Sequence, residues 1–395
     1  MPRFLRVSLF LVTQAILCLA VLEIGLRVAS RFSPDLASLL YLPEVRTDLE
    51  EFDTTEELME GNPMGFVPGA VRGGFVLNSR GFRTEEYTGR RDPDGFRLLA
   101  LGDSFTFSSG GVPWRYGWPE VLEDLLDRES RRSVEVFALG VPGVGPRFEK
   151  RLWELEGRRL RPDLVVLAFF VGDDFLEEPG VDSEISGVPP LLRVCTTCRL
   201  ARNLWRIEQE RQRVGGWPEL ETEAPEDRPP GTEIEAYLSK YDPLRPTFSE
   251  ESYLLLEWER SRICRPAHRE EFDRMFRATT AVIRDLHHSV RRQRARFLVL
   301  IIPDEYQIDP DLRRRMMEAH GSSHGQLSVG LPQRRLREFL EREEIPYLDL
   351  LPVLRRAGLS ERQYRLQDTH WNIEGNRTAA RALASDLLTR GWLQR

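Results

Sequence analysis

Three short apolar runs, each followed by a glycine and separated by segments of helical spacing, constrain the fold of this chain more than any other feature. Arg97-Leu-Leu-Ala-Leu101 ends at Gly102, Val134–Leu139 ends at Gly140, and Leu164–Val171 ends at Gly172. Runs this short and this continuously apolar suit strands buried on both faces, as in parallel sheets. Between the first two, Trp118 to Leu126 places Val121, Leu122, Leu125 and Leu126 on one helical face. Phe148–Leu160 reads as a second helix. Strand, helix, strand, helix, strand predicts a doubly wound α/β fold around a parallel sheet.

That rhythm breaks between about 176 and 270, where Pro, Glu and Arg are frequent and a loop is expected around Ala224–Gly231. The segment reads as an inserted cap, helical around Leu200–Arg213 and Glu250–Ile263. The alternation then resumes with a helix from about Glu271 to Arg292 and a strand over Arg296–Ile302, ended by Pro303. A helix near Pro332–Arg342, a strand over Pro346–Leu351 and a final helix over Asn376–Leu388 complete it. The main domain is thus expected over 96–395. Residues 33–95, turn-rich and without periodicity, form an extended lead-in.

Residues 1–32 are of another kind. Arg3 and Arg6 precede a mostly apolar run from Val7 to Leu22, and Glu23 and Arg27 follow, four apart on one helical face. No small-residue cleavage pattern is evident, so an uncleaved signal anchor is preferred over a cleaved signal peptide. Counting Glu23 to Ala29 brings the segment to the length of a transmembrane helix. Positive residues at the start predict a single-pass orientation with the body outside the cytoplasm, in the periplasm. Cys18 follows Ala15, Ile16 and Leu17, which make no lipoprotein signal. The net charge of −7 is modest for 395 residues, and there is no concentrated basic stripe, so a nucleic-acid partner is not expected.

In open parallel sheets, ligands gather at the carboxyl ends of the strands. Those ends here read Gly102-Asp103-Ser104-Phe105, Gly140-Val-Pro-Gly143 and Gly172-Asp173-Asp174, and near the end of the chain comes Asp368-Thr369-His370-Trp371-Asn372. Ester hydrolysis needs an exposed hydroxyl nucleophile, a base to take its proton and an acid to orient the base. Ser104, His370 and Asp368 are of those types. An extended loop would let both Asp368 and His370, two residues apart, reach one site. Each also has an ordinary structural role open to it: a helix N-cap for Ser104, a turn residue for Asp368 and a loop histidine for His370.

Together these pieces resemble the SGNH (GDSL-type) hydrolase superfamily. Gly102-Asp103-Ser104 is similar to its first block, Gly140 to its second-block glycine, and Asp368-x-His370 to its last. Asn78-Ser-Arg-Gly-Phe-Arg83 and Leu300-Ile-Ile-Pro303 resemble bacterial membrane-anchored members. The resemblance covers roughly 78–175 and 290–390. It implies a flavodoxin-like sheet with an inserted cap, a Ser104–His370–Asp368 triad, and an oxyanion hole from the backbone of Ser104 and Gly140 and the residue at 173. No cofactor or catalytic metal is implied. It further implies a serine ester hydrolase or O-acyltransferase, acting on O-acetyl groups of a cell-surface polysaccharide, with a membrane acyl-donor protein if transfer is its task. Two alternatives remain: a lipase or thioesterase for longer acyl chains, and a non-catalytic glycan-binding or scaffold protein. The departures are Asp173 where the family carries Asn, and Ala138 where Asn is frequent. An ionised carboxylate only accepts hydrogen bonds and repels developing negative charge.

Other signals have open readings. Cys195-x-x-Cys198 with Cys264-x-x-x-His268 permits a disulfide with one cysteine left over, a zinc site, or free thiols. His320-x₃-His324 lies among Gly and Ser and reads as a loop, and His287-His288 as a solvated helix face. Trp114, Tyr116 and Trp118 are core or staple residues, or a platform for a sugar ring.

Overall fold

A computed structural model describes residues 3–29, 69, 71–87, 92–130, 132–175, 195–198, 200–201, 204–205, 228–320 and 327–394. The chain divides into two compact bodies, Met1–Ala70 with Gly180–Glu223, and Val71–Pro179 with Ala224–Arg395. The insertion expected at about 176–270 is therefore shared between them. The helix expected at 200–213 lies mostly outside the described residues, as does the first half of the loop expected at 224–231, whose residues 228–231 form a bend and a turn.

The larger body is built on a five-stranded parallel sheet. Its strands are β3 (Phe96–Gly102), β4 (Val134–Gly140), β5 (Leu164–Phe170), β6 (Arg296–Ile302) and β7 (Tyr347–Asp349), in the order β4-β3-β5-β6-β7. A hairpin of β1 (Val71–Arg72) and β2 (Phe75–Val76) precedes them. The sheet is that of a doubly wound fold, and the strand order reverses between β3 and β5. β3 and β5 are buried along their whole length, which is why they read as unbroken apolar runs. Alternate residues serve opposite faces. Leu98, Ala100, Val166, Ala168, Leu298 and Leu300 share one core cluster with Trp118, Leu122 and Leu383.

That cluster is closed by α2 (Trp118–Glu129) and by the last helix, Ile373–Thr389, which pack on one another. α3 (Pro146–Leu152) and the long helix Arg269–Arg292 pack together elsewhere in the body. The helix expected over 148–160 is interrupted by a wider π-turn at Trp153–Gly157. Buried Trp153 there donates through Nε1 to Ser289 Oγ, 3.0 Å away. Four α-helices among the described residues escaped the sequence reading: Glu235–Leu238, Glu305–Ile308, Pro310–His320 and Leu351–Ala357. His320 thus ends a helix, while His324 lies outside the described residues.

Of the lead-in expected over 33–95, residues 69, 71–87 and 92–95 are described, and they include the β1–β2 hairpin. β2 is extended by the returning insertion: Val76 N donates to Thr232 O, and Gly231 N donates to Val76 O. In the smaller body the N-terminal helix, α1, runs over Arg3–Ala29. Among the described residues no helix is long and apolar enough to cross a membrane, which corrects the transmembrane span expected over 1–32. The physical reason lies at Glu23. Its carboxylate accepts from the backbone N–H of Thr196 (2.7 Å) and Thr197 (2.8 Å) and pairs with Arg27, so this turn is engaged with protein. The apolar run from Val7 to Leu22 is then about 24 Å long at 1.5 Å per residue, short of the ~30 Å hydrocarbon core.

Candidate active site

Ser104 lies just beyond the end of β3, beside the point where the strand order reverses. The turn that follows is closed by Asp103, not by Ser104. Asp103 Oδ1 accepts from Phe105 N (2.8 Å), and its carbonyl accepts from Phe107 N (3.0 Å). The capping role is thus taken by the neighbour, and the half-buried Ser104 hydroxyl is left for another partner. Ser108 adopts a left-handed φ of 59° in this loop. Arg83 secures it: the guanidinium donates to the carbonyls of Phe107 and Ser108 at 2.8 Å, and of Gly73 and Val112 at 2.9 Å. Asn78 shapes the approach by accepting from Arg80 N and Phe82 N, with Gly81 at φ 81° in a turn where a side chain would be strained. The Asn78–Arg83 run thus braces the loop after Ser104, a role its composition did not disclose.

The His370 imidazole links Ser104 to Asp368. Nε2 lies 2.9 Å from Ser104 Oγ, and Nδ1 lies 2.7 Å from Asp368 Oδ1. Oδ1 also accepts from His370 N at 3.0 Å. Oδ2 accepts from Arg365 Nη1 at 3.0 Å and from the Thr247 hydroxyl. Burial by itself would raise the pKa of Asp368. The hydrogen bonds from His370 and Thr247 overcome it and hold the group at about 2. Asp368 is therefore a fixed anion at any ordinary pH. Sequence reasoning missed Thr247 and Arg365. Arg365 stands three residues before Asp368 and could have been suspected, but Thr247 is 121 residues away in the insertion and carried no signal. The segment 243–248, a run of turns and bends, is strapped along the Asp-x-His loop by Leu366 N to Pro243 O (3.0 Å) and Phe248 N to Gln367 O (3.1 Å).

Gly140 and Asp173 occupy the ends of the two strands beside β3. Gly140 is level with Gly102 in the β3–β4 ladder, and a Cβ on it would lie 2.2 Å from Phe107 N. Only glycine lets the loop after Ser104 close against β4. At the end of β5, buried Asp174 accepts from Phe170 N at 2.7 Å and locks the turn, leaving Asp173 exposed. Asp103 is pushed up to about 7, first by burial and then by the nearby charge of Asp173, against the hydrogen bond from Phe105 N.

Two cavities flank the Asp-x-His loop. One, about 330 Å³, is lined by Tyr237, Lys240, Tyr241, Arg245, Thr247 and Arg365, among others. The other, about 590 Å³, includes Tyr116, Tyr241, Leu244, Ile373 and Arg377. Ser104 lines neither. Of the three aromatics after the nucleophile loop, Trp118 is fully buried, Trp114 stacks on Phe75 at 4.5 Å, and Tyr116 faces the larger cavity.

In the smaller body Cys195 and Cys198 form a disulfide. Cys264 is buried in the larger body, its Sγ 3.4 Å from Tyr306 Oη. Among the described residues no group of His, Cys, Asp and Glu is arranged to hold a metal ion. His287 is half-buried against Phe297 and not fully solvated.

Residues 262–395 match the family model of the SGNH hydrolase-like domain of acetyltransferase AlgX. The C-terminal third of the chain is thus similar to an SGNH hydrolase-like domain. The match includes Asp368 and His370, whereas Ser104, Gly140 and Asp173 precede it. Among solved structures, the chain is similar to TesA (13% identity, 74% of this chain and 97% of that one, TM-score 0.38). It is also similar to an acetylxylan esterase from Geobacillus stearothermophilus (12%, 75% and 96%, TM-score 0.36). A GDSL-like lipase from Bacteroides thetaiotaomicron is a third (11%, 74% and 88%, TM-score 0.34). These likenesses are too distant to bear on substrate or activity. No curated protein matches the chain.

Proposed function

We propose that this chain is a serine esterase or O-acetyltransferase in which Ser104, His370 and Asp368 act as a triad on O-acetyl groups of a polysaccharide outside the cytoplasm. The observation that carries the reading is the relay itself, with Ser104 Oγ 2.9 Å from His370 Nε2 and His370 Nδ1 2.7 Å from the Asp368 carboxylate. In this mechanism Ser104 Oγ attacks the ester carbonyl carbon while His370 Nε2 takes the hydroxyl proton. The tetrahedral oxyanion is received by the backbone N–H groups of Ser104 and Gly140. The carbon–oxygen bond to the sugar then breaks, and His370 returns the proton to the departing alcohol. Water or a second hydroxyl attacks the acyl-serine, its proton passing to His370, and Ser104 is released. Asp368 holds the imidazole in the tautomer that this cycle needs.

The position of the enzyme is part of the same proposal. The apolar run from Val7 to Leu22 supports membrane attachment through α1, and the Cys195–Cys198 disulfide supports an oxidising compartment. The intact chain should co-sediment with membranes, and recovery of a shortened soluble form would overturn the attachment.

The direct test is hydrolysis of an activated acetyl ester by the full-length protein in detergent, beside Ser104→Ala and His370→Ala. Each variant should lose roughly 10³-fold or more in kcat with its fold intact. Asp173 favours one second reading, a glycan-binding protein that retains the fold. Glycan binding unchanged in Ser104→Ala, with no ester turned over by the parent, would favour that reading over catalysis.

A further inference from the structure

The inference that follows rests on the serine-ester reading of Ser104. Besides the triad, the carboxyl edge of the sheet gathers four acids that the mechanism does not use. Asp103 follows β3, exposed Asp173 follows β5, buried Asp304 follows β6, and buried Glu257 comes from the insertion helix Glu250–Arg260. Asp304 lies so close to the turn after β5 that a Cβ on Gly172 would be 2.3 Å from its Oδ2. Glu257 accepts from Tyr306 N at 3.3 Å.

Arg260, three residues after Glu257 at the end of the same helix, enters this cluster. Its guanidinium lies 5.1 Å from the centre of the Phe170 ring at the end of β5. Phe170 packs on Phe105 at 4.7 Å, and Phe105 meets the His370 ring at 5.6 Å, so Arg260 stands two aromatic layers from the base. Its charge acts on Asp304, Glu257, Asp173 and Asp103 together. Its Nη1 is buried and makes no hydrogen bond, while the Asp304 and Glu257 carboxyls share a hydrogen bond with each other. The cation is thus held by the field of several acids, with a donor unspent.

A transition state that places negative charge beside Ser104 is opposed by any carboxylate at the strand ends. Burial pushes Asp103 and Glu257 upward, towards their neutral forms, and Asp173 is the member that water reaches. We propose that Arg260 is a positioning residue of the ester site, the charge partner through which Asp173 is tolerated where a neutral donor is expected. The insertion would then supply two supports to the chemistry, Thr247 behind the triad acid and Arg260 behind the oxyanion side.

A double-mutant cycle tests this on the full-length protein in detergent, with an activated acetyl ester as substrate. Arg260→Gln should lower kcat about 10- to 100-fold with KM changed less than about 2-fold, the range of coupling seen for close charge pairs. In the Asp173→Asn background the same substitution should cost less than about 3-fold, because the charge it answers is gone. Arg260→Lys should retain most of the activity, since charge and not the planar fork is required. A purely structural Arg260 would give equal losses in both backgrounds and no rescue by Lys, and that result overturns the pairing. Should Arg260→Gln fail to fold, comparison of Arg260→Lys with Arg260→Gln/Asp173→Asn decides the same question. The rate of Ser104 labelling by a fluorophosphonate gives a second readout on the same variants. Turnover that survives Ser104→Ala would instead refute the triad, an outcome distinct from equal losses in a Ser104-dependent enzyme.

Discussion

Thr247→Val removes one hydroxyl from the insertion and nothing from the triad itself, so it isolates what the strap contributes. Valine keeps the shape of the side chain. The buried Asp368 carboxylate is left with three donors instead of four: His370 N at 3.0 Å, His370 Nδ1 at 2.7 Å and Arg365 Nη1 at 3.0 Å. A hydrogen bond to a charged group is worth about 1.5–3 kcal/mol. Arg365 Nη1, now bonded to both Thr247 Oγ1 (3.3 Å) and Asp368, can turn wholly to the carboxylate and recover part of the loss. The lower end of the range, about 1.5 kcal/mol, is therefore the better figure, equal to roughly a tenfold effect on an equilibrium or rate. If that energy fixes the carboxylate behind His370, kcat for an activated acetyl ester should fall about 3- to 10-fold with KM unchanged. The melting temperature should fall by about 3 °C. A variant that melts at the lower temperature but retains full kcat would show that the strap serves stability alone, and the coupling of insertion to triad would be refuted.

Three further outcomes are expected. Asp173→Asn should raise kcat about 10-fold by exchanging a repelling carboxylate for a donor, as measured with the same ester, and a fall would assign Asp173 a positive role. Gly140→Ala should cost about 1–3 kcal/mol of stability and most of the activity, because its Cβ would meet the Phe107 backbone at 2.2 Å; a stable, active variant would remove Gly140 from the site. Asp368, lowered from an ordinary 3.8 to about 2, contributes stability that is complete above pH 3.8 and is lost as pH falls through about 2. Acid unfolding of Asp368→Asn should lack that component, about 2 kcal/mol, and identical acid transitions in parent and variant would contradict the assigned shift.

The strands were legible because burial on both faces leaves no room for polar residues. Arg296–Ile302 was read to the residue, and Phe96–Gly102 to within one at either end. The four missed helices lie outside that rule. Glu305–Ile308 is a single turn held by the Asp304 cap and a reciprocal bond from Gln307, and so short an element leaves no periodicity to read. Leu351–Ala357 was hidden because its first residues look like the end of β7. Among the site residues, those in the two short blocks were visible, since their neighbours in sequence are also their neighbours in space. Thr247 and Arg260 were not, and Arg83 stood out only within the Asn78–Arg83 resemblance, without its bracing role.

The sequence alone therefore determined the alternation of strands and helices, and with it which chain segments end at the carboxyl edge of the sheet. It determined this because hydrophobic periodicity is a local property, written residue by residue. The tertiary structure decided what stands behind those ends: the Thr247 hydroxyl on Asp368, Arg83 on the loop after Ser104, and Arg260 among the acids. Such contacts join residues far apart in the chain, and their strength depends on burial and distance, which no window of sequence contains.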